Sequence, residues 1–443
     1  EHRGEAGLIT RLEAFADEIS QYQMPARKIK LTKKTADPEN WPIEEIKKCP
    51  FILPYFADQA FAFTGALKKS GLKATVLPPP DNQSLELGEQ YSSGKECHAF
   101  CFLLGDLLKQ TLGQKLAEPT IFFFPGARYA CLLQQYGPAM RNLLSELGQD
   151  KIYVLTPSLE FLWKLIGFEG LKSLWQGLVA VDNLINICCQ LRPYENNKGE
   201  VDRVFQDGLR QIEEGIATDQ LSESLERIRK NLRAIKIWRE ERPVIGIAGD
   251  IYTRQNAFAN NQLFYQLEKL GCEVWPSPFL VDEIDFSFSR SFYEKLSEGN
   301  LIETVKYAGL NLVKEIKKIK VRKKLAPDDL RIKEPSYEDL VRSTVTYLNY
   351  NNNQSLFLNV AKMVDFARKG ADGIINVICF NCLLGTTAAA ISGRIKKDFQ
   401  NIPLPTLIYG ESEMTNSSSR LEAFVAQVQA RFKNKKVKAV VKP

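Results

Sequence analysis

Cysteines at the starts of predicted helices are the residues of this sequence best suited to chemistry. The segment SSGKECHAFC places Cys97 at the start of a helical pattern, and FFFPGARYACLLQQYG places Cys131 in the first turn of another. A third segment, GIINVICFNCLLGT, carries Cys379 and Cys382 at a strand–helix junction. The positive end of a helix dipole stabilises a thiolate, which both a nucleophile and a metal ligand require. These four cysteines are therefore candidates for nucleophilic, redox or metal chemistry.

A zinc site, an iron–sulfur cluster and a dithiol redox pair are the three kinds of site to compare with this pattern. Any single cysteine is more often a small buried hydrophobe than a ligand, but thiols on three different loops indicate a shared site if the loops meet at one edge. Tetrahedral zinc usually takes paired motifs, which scattered cysteines match poorly, whereas an iron–sulfur cubane is compatible with thiolates from distant loops. The C-x-x-C spacing of Cys379 and Cys382 also suits a dithiol redox pair.

The other cysteines give weaker signals. Nine cysteines are an odd number, and the sequence shows no export signal, so a disulfide framework is not expected. Burial in the core is the expectation for Cys49, Cys188, Cys189 and Cys272. We expect His98 to be a neighbour of Cys97 rather than a ligand.

Apolar runs rich in β-branched and aromatic residues alternate with helical patterns, which is typical of βαβ units around a buried parallel sheet. Strands are predicted at 51–55, 73–78, 120–125, 151–155, 243–248, 272–277, 373–380 and 404–409. We therefore predict an α/β fold with two Rossmann-like parallel-sheet lobes joined by a helical segment. Ligands of such lobes bind beyond the carboxyl ends of the strands, where the candidate cysteines lie.

The predicted organisation has five parts. Residues 1–49 form an N-terminal helix and linker, 50–158 the first α/β lobe, 159–241 the helical segment, 242–431 the second α/β lobe and 432–443 a basic tail. The first residue is not Met, which indicates a processed protein or a part of a longer one.

Composition narrows the class of protein. The 443 residues are 44% hydrophobic and 25% charged, as in an ordinary globular protein. The net charge of +6 concentrates in 314–333 and in the last dozen residues, which we interpret as a solvated helix face and a frayed tail. No aromatic stacking platform accompanies them, so nucleic-acid binding is not expected. No apolar run reaches the ~18 residues of a membrane span, and a cytoplasmic location is predicted.

An ordered string of motifs resembles the D-component superfamily of 2-hydroxyacyl-CoA dehydratases. The string is GKEC, CLLQQYG, RPVIGIAGDIYTRQNAFANNQL, EVWPSP, GADGIINVICFNCLLGT and TNSSSRLEAFV, and it spans most of the chain. Within the superfamily, the chain is most similar to the acyl-CoA dehydratase activase-related branch, which is related to double-cubane cluster proteins.

The resemblance implies an oxygen-sensitive [4Fe–4S] cluster, or a larger double-cubane cluster, in the cleft between the lobes. Matched motif by motif, it assigns the cluster ligands to Cys97, Cys131 and Cys382, with Cys101 and Cys379 as additional candidates. It implies an ATP-dependent activase, carrying its own iron–sulfur cluster, as the partner that supplies low-potential electrons. It further implies a reductive or radical reaction of an acyl-CoA or another small substrate, in an oligomer or a fusion with further domains.

The sequence departs from the family at one motif and lacks nucleotide motifs. CLLQQYG replaces the usual CRFGQY, so substrate or activase contacts beside Cys131 are not carried over. No G-x-x-x-x-G-K-[ST] motif is present, and GIAGDIY is not a G-x-G-x-x-G, so ATP hydrolysis is expected of a partner. Two other functions are kept: a non-catalytic cluster-bearing or scaffold domain of an activase assembly, and a thiol–disulfide oxidoreductase that uses Cys379 and Cys382.

Overall fold

The computed structural model of the protein has an α/β architecture built on two four-stranded parallel sheets. It describes residues 12–13, 15–17, 19–20, 37–112, 116–126, 131–238, 240–326, 330–331, 334–410 and 417–440. The described residues between 12 and 20 are helical, as predicted for the N-terminal region.

Seven of the eight predicted strands contain an observed one, and the eighth, 243–248, ends one residue before the observed strand does. The strands are β1 (Phe51–Leu53), β2 (Ala74–Val76), β3 (Thr120–Phe123), β4 (Ile152–Leu155), β5 (Val244–Gly249), β6 (Glu273–Pro276), β7 (Gly373–Cys379) and β8 (Thr406–Tyr409). The sheet orders are β2–β1–β3–β4 and β6–β5–β7–β8, and every pairing is parallel. The predicted α/β class with two parallel sheets is confirmed.

The two sheets share one topology, and in both the chain order reverses at the centre. The reversal falls between β1 and β3 in the first sheet and between β5 and β7 in the second. Such a reversal leaves a crevice beyond the carboxyl ends of the two central strands, where α/β proteins bind ligands. The topology therefore marks the ends of β5 and β7 as a place to look for a site.

Helices surround the sheets and form the segment between the lobes. The helices are α1 (Ile43–Lys48), α2 (Ala60–Lys69), α3 (Asn82–Gln90), α4 (His98–Lys109), α5 (Leu133–Glu146), α6 (Leu159–Leu191), α7 (Glu200–Ala217), α8 (Leu221–Ala234), α9 (Leu263–Lys269), α10 (Val281–Ser297), α11 (Leu301–Leu325), α12 (Tyr337–Thr344), α13 (Gln354–Arg368), α14 (Leu383–Asp398) and α15 (Ser417–Val440). Helix α15 continues through Val440, so residues 432–440, predicted as a frayed tail, are helical. Among the described residues, no helix is both long enough and apolar enough to cross a bilayer.

Two glycines set a close helix–helix contact in the first lobe. A Cβ on Gly88 of α3 would lie 1.8 Å from the carbonyl oxygen of Cys101 in α4, and a Cβ on Gly105 would lie 1.6 Å from that of Ser84. The two backbones therefore touch directly, with no room for a side chain between them. Because Cys97 is the N-terminal cap of α4, this contact helps to position the first candidate thiol.

Hydrogen bonds join the first lobe to the loop that follows β5. The side-chain amide of Asn256 donates to the carbonyl oxygens of Tyr55 (3.1 Å) and Phe56 (3.3 Å). The amide of Gln59 donates to Gln255 Oε1 (3.0 Å). These contacts place the carboxyl end of β1 next to the carboxyl end of β5.

Asp182 of α6 takes part in the same interface. Its Oδ1 atom accepts hydrogen bonds from Gln59 Nε2 (2.5 Å) and from the backbone N–H of Phe279 (3.2 Å). Its Oδ2 atom has no hydrogen-bond partner among the described residues. Burial raises the pKa of Asp182 to about 7. Ionisation of this buried carboxyl therefore takes place in the neutral pH range, and it lowers the free energy of unfolding.

We predict that Asp182→Asn stabilises the protein more at pH 8 than at pH 5. The pKa in the folded state lies above the unfolded value of about 3.9, so the stability contribution is complete below that value and is lost as the pH rises through 7. Asparagine carries no charge and avoids this loss, and we expect a gain of about 1–3 kcal/mol in the free energy of unfolding at pH 8. Urea denaturation at both pH values measures it. The exposed control Glu86→Gln should have the same small effect at both, and a pH-independent effect of Asp182→Asn would contradict the prediction.

Candidate metal centre

Asp250 ties together the carboxyl ends of two central strands. It follows β5, and its Oδ1 atom accepts hydrogen bonds from the backbone N–H groups of Tyr252 (2.9 Å) and Thr253 (2.7 Å). Its Oδ2 atom accepts one from the N–H of Cys379, the last residue of β7 (2.7 Å). Gly249 has a φ of 144°, and a Cβ there would lie 1.9 Å from a backbone oxygen of β7, so glycine is required where the strands end. The carboxylate is thus held at the crevice between β5 and β7.

Two sulfur atoms lie beside this carboxylate. Cys382 caps the N-terminus of α14, where its Sγ atom accepts a hydrogen bond from the N–H of Gly385 (3.3 Å). Ligand atoms of Asp250, Cys379 and Cys382 all lie within 4.8 Å of one another. Asn381, between the two cysteines, has a φ of 59°, a left-handed conformation that asparagine tolerates. The tight turn brings both thiols to the same place.

Cys97 reaches this place from the first lobe. It is buried, and its sulfur hydrogen-bonds with the hydroxyl of Tyr136 in α5. A hydrogen bond from Cys379 and the one with Tyr136 lower the pKa of Cys97, although burial opposes them. The backbone N–H of His98 donates to the carbonyl oxygen of Phe380 (3.1 Å), so the two lobes touch beside the thiols.

The Cys379 thiol lies between two other sulfur atoms. Its hydrogen bonds with Cys382 and Cys97, followed by burial, raise the pKa of Cys379 well above the usual range. The pKa shifts of the two thiols are thus opposite in direction, and they favour a thiolate at Cys97 over one at Cys379.

Cys131 brings a fourth thiol to the group, but not from the first turn of a helix as predicted. Helix α5 begins at Leu133, and Cys131 lies in a preceding turn in which the N–H of Gln134 donates to its carbonyl oxygen (3.2 Å). The i to i+3 bond makes this a tight turn outside the α-helix. Burial raises the pKa of Cys131 to about 11, and the negative charges of Cys97 and Cys382 act in the same direction. Cys131 packs against the hydrophobic cluster that contains Cys97 and Cys379.

Apolar and aromatic side chains pack around the four thiols. They belong to one hydrophobic cluster with Cys97 and Cys379, which includes Phe100, Phe102, Phe124, Leu133, Tyr136 and Tyr252. Such a shell limits access of water and lowers the local dielectric constant. It strengthens every charge interaction at the site.

Cys101 and His98, which are close to Cys97 in the sequence, contact residues outside the group of thiols. The sulfur of Cys101 lies 3.6 Å from Ser92 Oγ, and burial raises the pKa of Cys101. The ring of His98 packs edge-on against Phe102, with centroids 4.8 Å apart, and burial lowers the pKa of His98 to about 4. Cys101 is buried and His98 is half-buried. The predicted burial of the remaining cysteines is confirmed for Cys49, Cys188, Cys189 and Cys272.

The three cysteines assigned by the resemblance belong to or pack against one hydrophobic cluster, which also contains Cys379, an additional candidate. Of the three, Cys382 has its sulfur within 4.8 Å of ligand atoms of both Cys379 and Asp250. Asp250 was missed. One signal was available, because Asp250 and Cys379 both lie at the carboxyl ends of predicted strands. The sequence does not show, however, that these two strands are neighbours. Their pairing decides the composition of the site.

In comparisons with known proteins, no family model and no curated protein sequence matches this chain. The resemblance to the dehydratase superfamily therefore stays a prediction based on the motifs.

The donor set of the site suits a soft metal. The sulfur atoms of Cys379 and Cys382 lie beside one carboxylate. Two more thiols, Cys97 and Cys131 of the first lobe, belong to or pack against the same hydrophobic cluster as these two. Thiolates select zinc, copper(I) or iron–sulfur clusters over magnesium or calcium. Burial is the largest cause of the raised pKa values of Cys131 and Asp250, and hydrogen bonds with the neighbouring thiols are the largest cause at Cys379, so negative charge on these groups conflicts with their surroundings. A positively charged centre would remove that conflict.

Proposed function

We propose that Cys97, Cys131, Cys379 and Cys382 hold an iron–sulfur cluster between the two lobes. The packing of these four thiols in or against one hydrophobic cluster supports the proposal, since they come from segments as far apart as 97 and 382. Structural zinc sites usually draw on two short paired motifs, whereas this group contains one C-x-x-C and two single cysteines. A [4Fe–4S] cubane accepts four such ligands.

The chain's own groups have distinct roles in this proposal. A bound cluster would accept and donate single electrons. The Tyr136 hydroxyl orients the Cys97 sulfur, and Asp250 holds the ends of β5 and β7 in register through its backbone hydrogen bonds. A carboxylate this close to the ligands adds negative charge, which favours a low reduction potential.

We infer that the electrons come from an ATP-dependent activase and pass to an acyl-CoA or another small substrate, in a reaction of the 2-hydroxyacyl-CoA dehydratase type. The motif resemblance supports this part of the proposal, as does the lack of a P-loop motif in the sequence. A low-potential centre requires a strong reductant, and coupling to ATP hydrolysis can provide one. A non-catalytic cluster-bearing or scaffold domain would share the centre but not the substrate reaction.

One observation favours a second candidate, a thiol–disulfide oxidoreductase. The sulfur atoms of Cys379 and Cys382 lie within 4.8 Å of each other, and the two cysteines are spaced as C-x-x-C. The raised pKa of Cys379 disfavours it as the attacking thiolate, so Cys382, at the helix N-terminus, would have that role.

Anaerobic purification and reduction test the proposal directly. We expect a brown protein with about four irons and four labile sulfides per chain. An activase of this family with ATP should bleach its visible absorption, and the same mixture with ADP should not. Bleaching that later reverses on addition of an acyl-CoA indicates an enzyme, whereas bleaching unaffected by any substrate indicates a scaffold. A colourless protein without sulfide would contradict the iron–sulfur centre.

A further inference from the structure

Helix α11 presents apolar side chains to solvent although its opposite face is packed. The inner face contacts α6, α8 and α10, and Trp175 Nε1 of α6 donates to the carbonyl oxygen of Lys314 (3.0 Å). The outer face carries five apolar residues that are between 42% and 82% exposed, and we call them the α11 stripe: Ile302, Val305, Leu312, Ile316 and Ile319. Soluble proteins rarely leave so continuous an apolar row uncovered.

The spacing of the α11 stripe is that of a helix–helix seam. Val305, Leu312 and Ile319 follow one another at intervals of seven residues, and Ile302 and Ile316 lie two such intervals apart. The first three residues thus occupy one apolar position of a heptad repeat, and Ile302 and Ile316 occupy the other. The stripe is about 26 Å long at 1.5 Å per residue. A second helix is the element that fits it.

Basic residues border the C-terminal half of the stripe. Lys317, Lys320 and Lys323 form no ion pair within the described part of the chain. Lys314 and Lys318 instead turn inward to Asp285, each at 2.6 Å, so the predicted solvated face is wrong for these two residues. A helix with acidic side chains would complement the positive charge of these three lysines.

The chain contains such a helix near its N-terminus. Leu12, Phe15 and Ile19 lie at i, i+3 and i+7 in described helical residues, and each is 56–58% exposed. Glu13 and Asp17 stand beside them. This apolar row spans seven residues, as Leu312 to Ile319 does, and it carries the opposite charge. An isolated helix of this length is marginal in water, so it needs a packing partner.

The connecting segment is long enough for contact within one chain. Residue 39 lies at the start of α6, because the backbone N–H of Ser158 donates to Glu39 Oε1. Helix α6 is interrupted at Gly167, which has a φ of 65°, and its two helical stretches place Trp175, which contacts α11, within about 30 Å of that point. Residues 20 to 37 can span about 55 Å when extended. The N-terminal helix can therefore reach the basic half of the stripe.

We propose that the N-terminal helix, residues 12–20, packs on the C-terminal half of the α11 stripe in the same chain, with Glu13 and Asp17 facing Lys317 and Lys320. Helix α11 belongs to the insertion between β6 and β7 of the second lobe, whereas the N-terminal helix precedes the first lobe. The contact acts as a strap that ties the two lobes together. It rests on the apolar and charge pattern alone and does not depend on the proposed function.

Hydrogen–deuterium exchange of the full chain tests the strap. Amides of residues 12–20 should exchange about tenfold more slowly in the wild type than in Ile316→Asp or Phe15→Ala. The matched control Ile302→Asp changes the distant end of the same exposed face and should leave this protection intact. Asp17→Lys should also weaken it, and adding Lys320→Asp should restore it, because only facing charges can be exchanged in this way.

Two results would overturn the proposal. One is exchange in residues 12–20 as fast in the wild type as in Ile316→Asp. The other is protection that disappears on dilution, since this would mean that the helix packs on a second copy of the chain.

Discussion

Replacing Cys382 by Ala should remove the iron and the labile sulfide from the protein. Its sulfur lies within 4.8 Å of the Cys379 sulfur and of a carboxylate oxygen of Asp250, at the N-terminus of α14. With one ligand lost, the remaining thiolates hold a cubane poorly, and we expect iron to fall from about four per chain to below about one. Anaerobic iron and sulfide analysis, with the visible spectrum, measures the loss. Cys97→Ala, Cys131→Ala and Cys379→Ala should behave alike.

Cysteines of the hydrophobic core provide the matched control. Cys188→Ala and Cys272→Ala remove buried thiols that lie outside the group, and they should keep the full iron content. Iron retained after Cys97→Ala or Cys131→Ala would contradict the four-ligand centre. Iron missing from the wild type as well, with a readily formed disulfide between Cys379 and Cys382, would instead support the oxidoreductase.

Replacing Gly105 by Ala should destabilise the first lobe and lower the iron content together. The new Cβ would lie 1.6 Å from the carbonyl oxygen of Ser84, so α3 and α4 must move apart. Overpacking against backbone atoms is expected to cost about 3 kcal/mol of the free energy of unfolding. Because Cys97 caps α4, the shift also displaces one thiol from the other three. Urea denaturation measures the first effect, and anaerobic iron analysis the second.

Gly393 offers the control for this substitution. It lies inside α14, and a Cβ added there would have no neighbouring atom within 4 Å, so Gly393→Ala should stabilise the protein by about 0.5–1 kcal/mol through helix propensity. Equal effects of the two alanine substitutions would mean that the contact of α3 with α4 does not constrain the lobe. Unchanged iron content in a destabilised Gly105→Ala protein would mean that the contact of α3 with α4 stabilises the lobe but does not position Cys97.

The strands were predictable because their burial is a local property of the sequence. Every residue of β7, from Gly373 to Cys379, is buried, and β3 is buried throughout as well. Strands covered on both faces read as continuous apolar runs, so they are recognised without knowledge of their neighbours. The capping positions of Cys97 and Cys382 were equally local, since each precedes a helical pattern.

The composition of the candidate site was not predictable in the same way. Asp250 joins the thiols because β5 pairs with β7, and Gly249 lies opposite Val377 across more than a hundred residues of sequence. Cys131 lies outside the helix in which it was expected, because a tight turn precedes Leu133. Neither fact leaves a periodic signal, since each depends on a contact between distant or irregular segments.

The amino-acid sequence by itself determined the two α/β sheets, the helical segment between them and the segments that carry the candidate thiols. Only the tertiary structure decided that Asp250 lies with Cys379 and Cys382, and that Cys97 and Cys131 share a hydrophobic cluster with these two cysteines. It also decided that Gly88 and Gly105 set the position of α4. The physical reason is the range of the interactions. Hydrophobic periodicity and helix capping act over a few residues, whereas sheet order and helix contact are settled by packing of segments far apart in the chain.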